Sequence, residues 1–123
     1  MSKFNSHAEF QQLKEVVVGQ GYPPEYFDHI EDQEVRENLQ KIFIEIEEDF
    51  QSLITTLDGF GVTSTRPPIV TKQRFENDPT AVPPLTPRDR QVVLNEKMVI
   101  MNNWSTWSPL HKEFRKQDPN NVV

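Results

Sequence analysis

Between Asp32 and Leu57 the apolar residues Val35, Leu39, Ile42, Phe43, Ile46, Phe50, Leu53, Ile54 and Leu57 recur at intervals of 4, 3, 1, 3, 4, 3, 1 and 3. That spacing keeps them on one side of a 3.6-residue helix and predicts a single amphipathic helix. Asp32 suits its N-cap, Glu34 and Glu37 fall at the positive end of its dipole, and Asp58-Gly59 supplies a stop.

Shorter patterns flank this helix. Leu13 to Gly19 contains three successive valines, Val16, Val17 and Val18, and predicts a buried strand ended by Gly19. Gly21 and Pro23-Pro24 then force a turn. After the helix, Gly61 to Arg66 reads as a second short strand running into Pro67-Pro68. A strand, helix, strand order with so long a helix predicts a parallel pair, because the helix can return the chain across the sheet.

From Pro67 to Pro87 six prolines and no sustained period predict a long irregular connection, a feature associated with sites or disorder. Gln91 to Leu94 and Lys97 to Met101 around Asn95-Glu96 predict a tight hairpin, with Asn95 able to take a positive φ. A short helix is expected from Ser108, with Pro109 at its first position and a stop near Asp118-Pro119. The class is mixed α/β in one domain: a strand-helix-strand unit over 5–66, the connection over 67–87, a hairpin over 88–102 and a tail over 103–123.

Charge and composition narrow the function classes. The 123 residues carry 19 acidic and 13 basic side chains, a formal charge of −6, which argues against nucleic acid and anionic membrane and suits a small cationic ligand. No apolar run approaches the roughly 20 residues of a membrane span, and Met1-Ser2-Lys3-Phe4 does not open a signal peptide, so the expected compartment is the cytoplasm. With no cysteine, disulfides, thiolate metal sites and thiol catalysis are excluded within these residues. No cofactor or metal is expected: His7, His29 and His111 lie far apart and read as surface or loop residues, and Glu45, Glu47, Glu48 and Asp49 read as a solvated acidic face. Trp104 and Trp107 read as packing residues of the tail or of a subunit interface.

The candidate chemistry is at Pro87-Arg88-Asp89, where a Pro-rich approach delivers a carboxylate into the apolar run Val92-Val93-Leu94. Taken by itself, Asp89 reads most simply as an ion-pair partner of Arg88 or Arg90, or as a turn cap, since a single carboxylate is a weak signal. The order of motifs adds to this. Glu9-Phe10-Gln11-Gln12-Leu13-Lys14-Glu15-Val16-Val17-Val18-Gly19 resembles the first strand of arginine:glycine amidinotransferases, which runs Glu-Trp-x-Pro-Leu-x-Glu-Val-x-Val-Gly. The helix through Glu45 to Phe50, then Gly61-Val62-Thr63 and Arg66-Pro67, is similar to that family's first helix and next strand. Pro87-Arg88-Asp89 before a hairpin resembles its Pro-Arg-Asp element, so the likeness covers roughly Asn5 to Ile100.

The resemblance implies a pentein fold, in which about five ββαβ-like units surround a central active site, and this chain would supply the opening part of that ring. It implies a reaction that moves an amidino group from arginine through a cysteine-bound intermediate, assisted by a His and an acidic residue. Those three residues have no counterpart here, so the chain is expected to be truncated or split and not catalytic alone. What carries over is Asp89, with Arg88 beside it, as the carboxylate that binds the substrate guanidinium through two parallel hydrogen bonds. The implied ligand is arginine-like. An incomplete ring would leave strand edges and an apolar helix stripe open, which implies a homo-oligomer or a partner supplying Cys and His. The alternative is a structural or regulatory module that oligomerises through strand edges and the Trp-containing tail. The pattern departs at Gln12, where the family has Pro, at Gln20, where a basic residue is common, and at Asn95-Glu96, where Gly-Asn is usual. No match is found after Met101.

Overall fold

Glu15–Val17 form β1 and Thr63–Thr65 form β2, paired in parallel with Glu15 opposite Thr63 and Val17 opposite Thr65. The pairing extends one residue each way: Thr63 N–H donates to the Lys14 carbonyl at 2.9 Å and Val18 N–H to the Thr65 carbonyl at 2.8 Å. This computed structural model describes residues 12–78, 81–87, 91–100 and 108–123.

The crossover between the two strands is α1, Gln33–Gly59. Asp32 caps it as its sequence position predicts, its carboxylate accepting the Val35 N–H at 3.0 Å. The helix ends at Gly59, where Asp58-Gly59 predicts its stop, and the chain is closed two residues on. Gly61 takes φ +74°, its N–H donates to the Asp58 carbonyl, and Val62 N–H donates to the Leu57 carbonyl. Those two bonds make the Schellman closure of a helix end, and the left-handed residue it needs is Gly61 rather than Gly59.

The expected irregular connection is not wholly irregular. It contains α2, Lys72–Asn77, capped by the Thr71 hydroxyl on the Arg74 N–H at 3.2 Å. Pro24–Phe27 likewise form a 3-10 turn where a simple turn was expected. Both serve one core, in which Tyr22, Phe27, Val70 and Ala81 are buried and Phe43 of α1 and Phe75 of α2 close the sides. Tyr22 and Phe75 have ring centroids 4.6 Å apart, and Phe27 and Phe43 4.9 Å. Aromatic pairs at such distances bury large areas with few side-chain degrees of freedom.

Gln91–Leu94 (β3) and Lys97–Ile100 (β4) form the expected antiparallel hairpin, turned at Asn95 with φ 55°. The tail then does more than the sequence suggested. After α3, Ser108–Gln117, the chain returns so that Val122 pairs in parallel with Met98 of β4. Met98 N–H donates to the Asn121 carbonyl at 2.7 Å, Val123 N–H to the Met98 carbonyl at 2.9 Å, and Ile100 N–H to the Val123 carbonyl at 2.8 Å. Met98, Phe114 and Val122 form a second core, against which Val17 of β1 also packs. The chain therefore contains two helical crossovers between parallel partners, β1 to α1 to β2 and β4 to α3 to residues 121–123. The second is preceded by the hairpin strand β3.

Candidate functional site

The carboxyl end of β1 is where the chain's segments converge. Arg66, just past β2, turns its guanidinium back across the sheet end. Its Nη1 and Nη2 donate to the two oxygens of Glu47 at 2.8 Å each, and Nε and Nη2 donate to the Gly19 carbonyl at 3.0 and 2.9 Å. The guanidinium also lies 5.2 Å from the centroid of the Phe50 ring. Glu47 was expected on a solvated acidic face; instead its bonds to Arg66 hold its carboxyl below the usual carboxylate range, against some opposing effect of burial. The planar fork matches a carboxylate as no lysine could.

The same strand end receives the Pro-rich connection. Gln20 N–H donates to the Pro84 carbonyl at 3.0 Å. A Cβ on Gly19 would overlap the Leu85 carbonyl oxygen and lie 2.7 Å from Phe50 Cζ, so glycine is what allows Leu85 to approach. Pro84 and Pro87 are both buried. In parallel α/β sheets ligands bind outside the carboxyl ends of the strands. On the other side of Gly21 a cleft of about 400 Å³ runs between the Gln20 to Pro24 turn and α1, with Tyr22, Phe43 and Ile44 as apolar walls and Glu47 and Glu48 at its edge.

Arg88 and Asp89, the residues that sequence reasoning assigns to ligand binding, lie outside the described residues, as do His7, Trp104 and Trp107. Downstream of Asp89, Gln91, the first residue of β3, is 9% exposed, and its Oε1 accepts a hydrogen bond from His111 Nε2 at 3.2 Å. That acceptor fixes the neutral tautomer with the proton on Nε2 and leaves Nδ1 without a partner among the described residues. His111 was expected at the surface and is fully buried in α3; burial, helped by Arg115, pushes its pKa below the ordinary value. The signal for this was available, since His111 and Phe114 stand three apart on the helix, one turn of a common face. His29 is exposed as expected, with Nδ1 donating to the Tyr26 carbonyl at 2.9 Å.

Among the described residues no group of three His, Asp or Glu could hold a metal ion, and no helix is long and apolar enough to cross a membrane. No family model matches this chain, and no curated protein or solved structure matches it either.

Proposed function

We propose that this chain is the opening part of an amidinotransferase-like pentein ring and that it binds an arginine-like guanidino compound through Asp89, with Arg88 beside it. The observation that carries the reading is the repeated crossover. A parallel pair bridged by α1 is followed by a hairpin, a helix and a parallel return, the strand-strand-helix-strand order of a pentein unit. Fold alone does not give function, so the site supplies the second support. The segment that leads into Pro87-Arg88-Asp89 is bonded to the carboxyl end of β1, and Gln91, two residues after Asp89, is hydrogen-bonded to His111. The carboxylate that the resemblance assigns to Asp89 would suit the planar fork of a guanidinium.

Amidino transfer needs a nucleophile, and these 123 residues contain no cysteine. The thiolate and its His would come from other parts of the ring, in the same or a separate polypeptide, and these residues alone bind without turning over. Calorimetric titration with L-arginine tests the binding role: saturable heat in the wild type that disappears in Asp89→Asn, with unchanged circular dichroism, is expected. Equal affinity in the variant would exclude Asp89 as the binding carboxylate. The second reading, a non-catalytic interaction module, draws support from the uncovered flank of α1.

A further inference from the structure

The apolar stripe of α1 is wider than the core that receives it. The helix contains no fully buried residue: Leu39, Phe43, Ile46, Phe50 and Leu57 are half-buried against the fold, while Val35, Ile42 and Leu53 remain 47, 48 and 46% exposed and Phe60, at the helix end, 78%. Ile44, equally exposed, lies off this flank two residues from Ile42, but the others share one face. Val35, Leu39, Ile42, Ile46, Asp49, Leu53, Thr56 and Phe60 follow one another at intervals alternating between 4 and 3, the heptad spacing of a helix-pairing seam. Over 27 residues at about 1.5 Å each the seam is about 40 Å long.

Charge identifies the occupant. From Gln33 to Gly59 there are seven acidic residues and two basic ones, a balance of −5 within a chain of −6. Of the two cations, Arg36 donates to the Ile30 carbonyl at 2.7 Å and Lys41 pairs with Glu45 at 4.0 Å. Of the acidic run Glu45 to Asp49, Glu47 faces the fold and is bound by Arg66, while exposed Glu45 and Asp49 lie at the middle of the seam, Asp49 in the seam itself. A second copy of α1, in either orientation, would set that run against its own image and pay like-charge repulsion at the centre of the interface. A basic partner would not.

We propose that this flank of α1 docks an amphipathic helix of a partner protein whose apolar seam is bordered by Lys or Arg. Val35, Ile42, Leu53 and Phe60 supply the apolar contacts, and Glu45 and Asp49 select the basic border. This mode of recognition places apolar anchors at heptad spacing and charges at the rim.

The test uses the full chain and two designed 28-residue helical peptides, both with Leu at heptad seam positions, one with Lys and one with Glu on the borders. Fluorescence anisotropy at low salt reads their binding. The Lys peptide is expected to bind saturably, the Glu peptide at least about tenfold more weakly, and the Lys peptide to weaken as salt rises. The double variant Ile42→Lys with Leu53→Lys, both exposed positions, is expected to keep the helical circular dichroism and lose the Lys peptide by at least about tenfold. Absent or equal binding of the two peptides, or binding that survives the double variant, would overturn the proposal. So would a wild-type dimer in sedimentation that the double variant makes monomeric, because the occupant would then be a second copy.

Discussion

Arg66 and Glu47 are joined by a two-pronged ion pair, 2.8 Å on each prong, between the end of β2 and the middle of α1, and the same guanidinium grips the Gly19 carbonyl at the end of β1. One side chain thus holds all three elements of the first crossover. Arg66→Lys keeps the charge but not the fork, and Arg66→Met removes both. Charge-assisted bonds of this kind contribute about 1.5–3 kcal/mol, reduced here because the Glu47 side chain is 43% exposed. Chemical denaturation is expected to give a loss of about 1–2 kcal/mol for Arg66→Lys and more for Arg66→Met. A Lys variant as stable as the wild type would mean that the fork is not what fastens the strand ends.

Because Glu47 titrates lower in the folded chain than in the unfolded one, its contribution is complete above the ordinary carboxylate pKa and fades as pH falls through the folded value. His111 acts in the next window up. Its folded pKa is depressed, so between the ordinary histidine value near 6.5 and the folded value the unfolded chain binds the extra proton and stability falls with falling pH. A buried Nδ1–H would also have no acceptor among the described residues. The midpoint of urea unfolding is expected to drop from pH 7 to pH 5, and His111→Gln to flatten that part of the profile. A His111→Gln profile that keeps the wild-type slope would assign the titration to another group.

The two glycines that shape the first crossover differ in what they tolerate. Gly61→Ala meets open space and pays only for its positive φ, about 1–2 kcal/mol. Gly19→Ala must displace the Leu85 backbone or Phe50, an overpacking cost of about 1–3 kcal/mol or more, and it also disturbs the chain that leads to Asp89. Thermal unfolding of both variants, with L-arginine titration of each, separates the two effects: only Gly19→Ala is expected to lower ligand affinity as well as stability.

Tyr22 offers a change in the opposite direction. The ring is buried, its hydroxyl has no hydrogen-bond partner among the described residues, and burial pushes its pKa up to about 12. Removing an unsatisfied buried hydroxyl while keeping the ring relieves a desolvation cost of about 1 kcal/mol. Tyr22→Phe is therefore expected to raise the melting temperature slightly, and a drop of several degrees would mean the hydroxyl has a partner after all.

The local patterns in the sequence were strong enough to reveal α1, its Asp32 cap, the two flanking strands and the Asn95 hairpin, since each depends on neighbours in the chain, and the crossover order then gave the parallel pairing. What escaped depended on distant contacts. The helix Lys72–Asn77 is too short to show a period, and beside its Thr71 cap it is the packing of Phe75 against Tyr22, Tyr26 and Phe27 that explains it. The pairing of Val122 with Met98 is a tertiary event with three residues to announce it. Glu47 looked like its neighbours Glu45 and Glu48, and what sets it apart is Arg66, nineteen residues away. His111 looked like a surface residue because its helix is mostly polar, yet its one buried turn faces Gln91.

An amide NMR titration with L-arginine tests the proposed guanidinium site at the start of the hairpin most directly. Saturable shifts confined to Gln91 to Leu94, the His111 turn and the Gly19 to Gln20 strand end, absent in Asp89→Asn, are the predicted result. A well-dispersed spectrum that L-arginine leaves unchanged at every residue would contradict it.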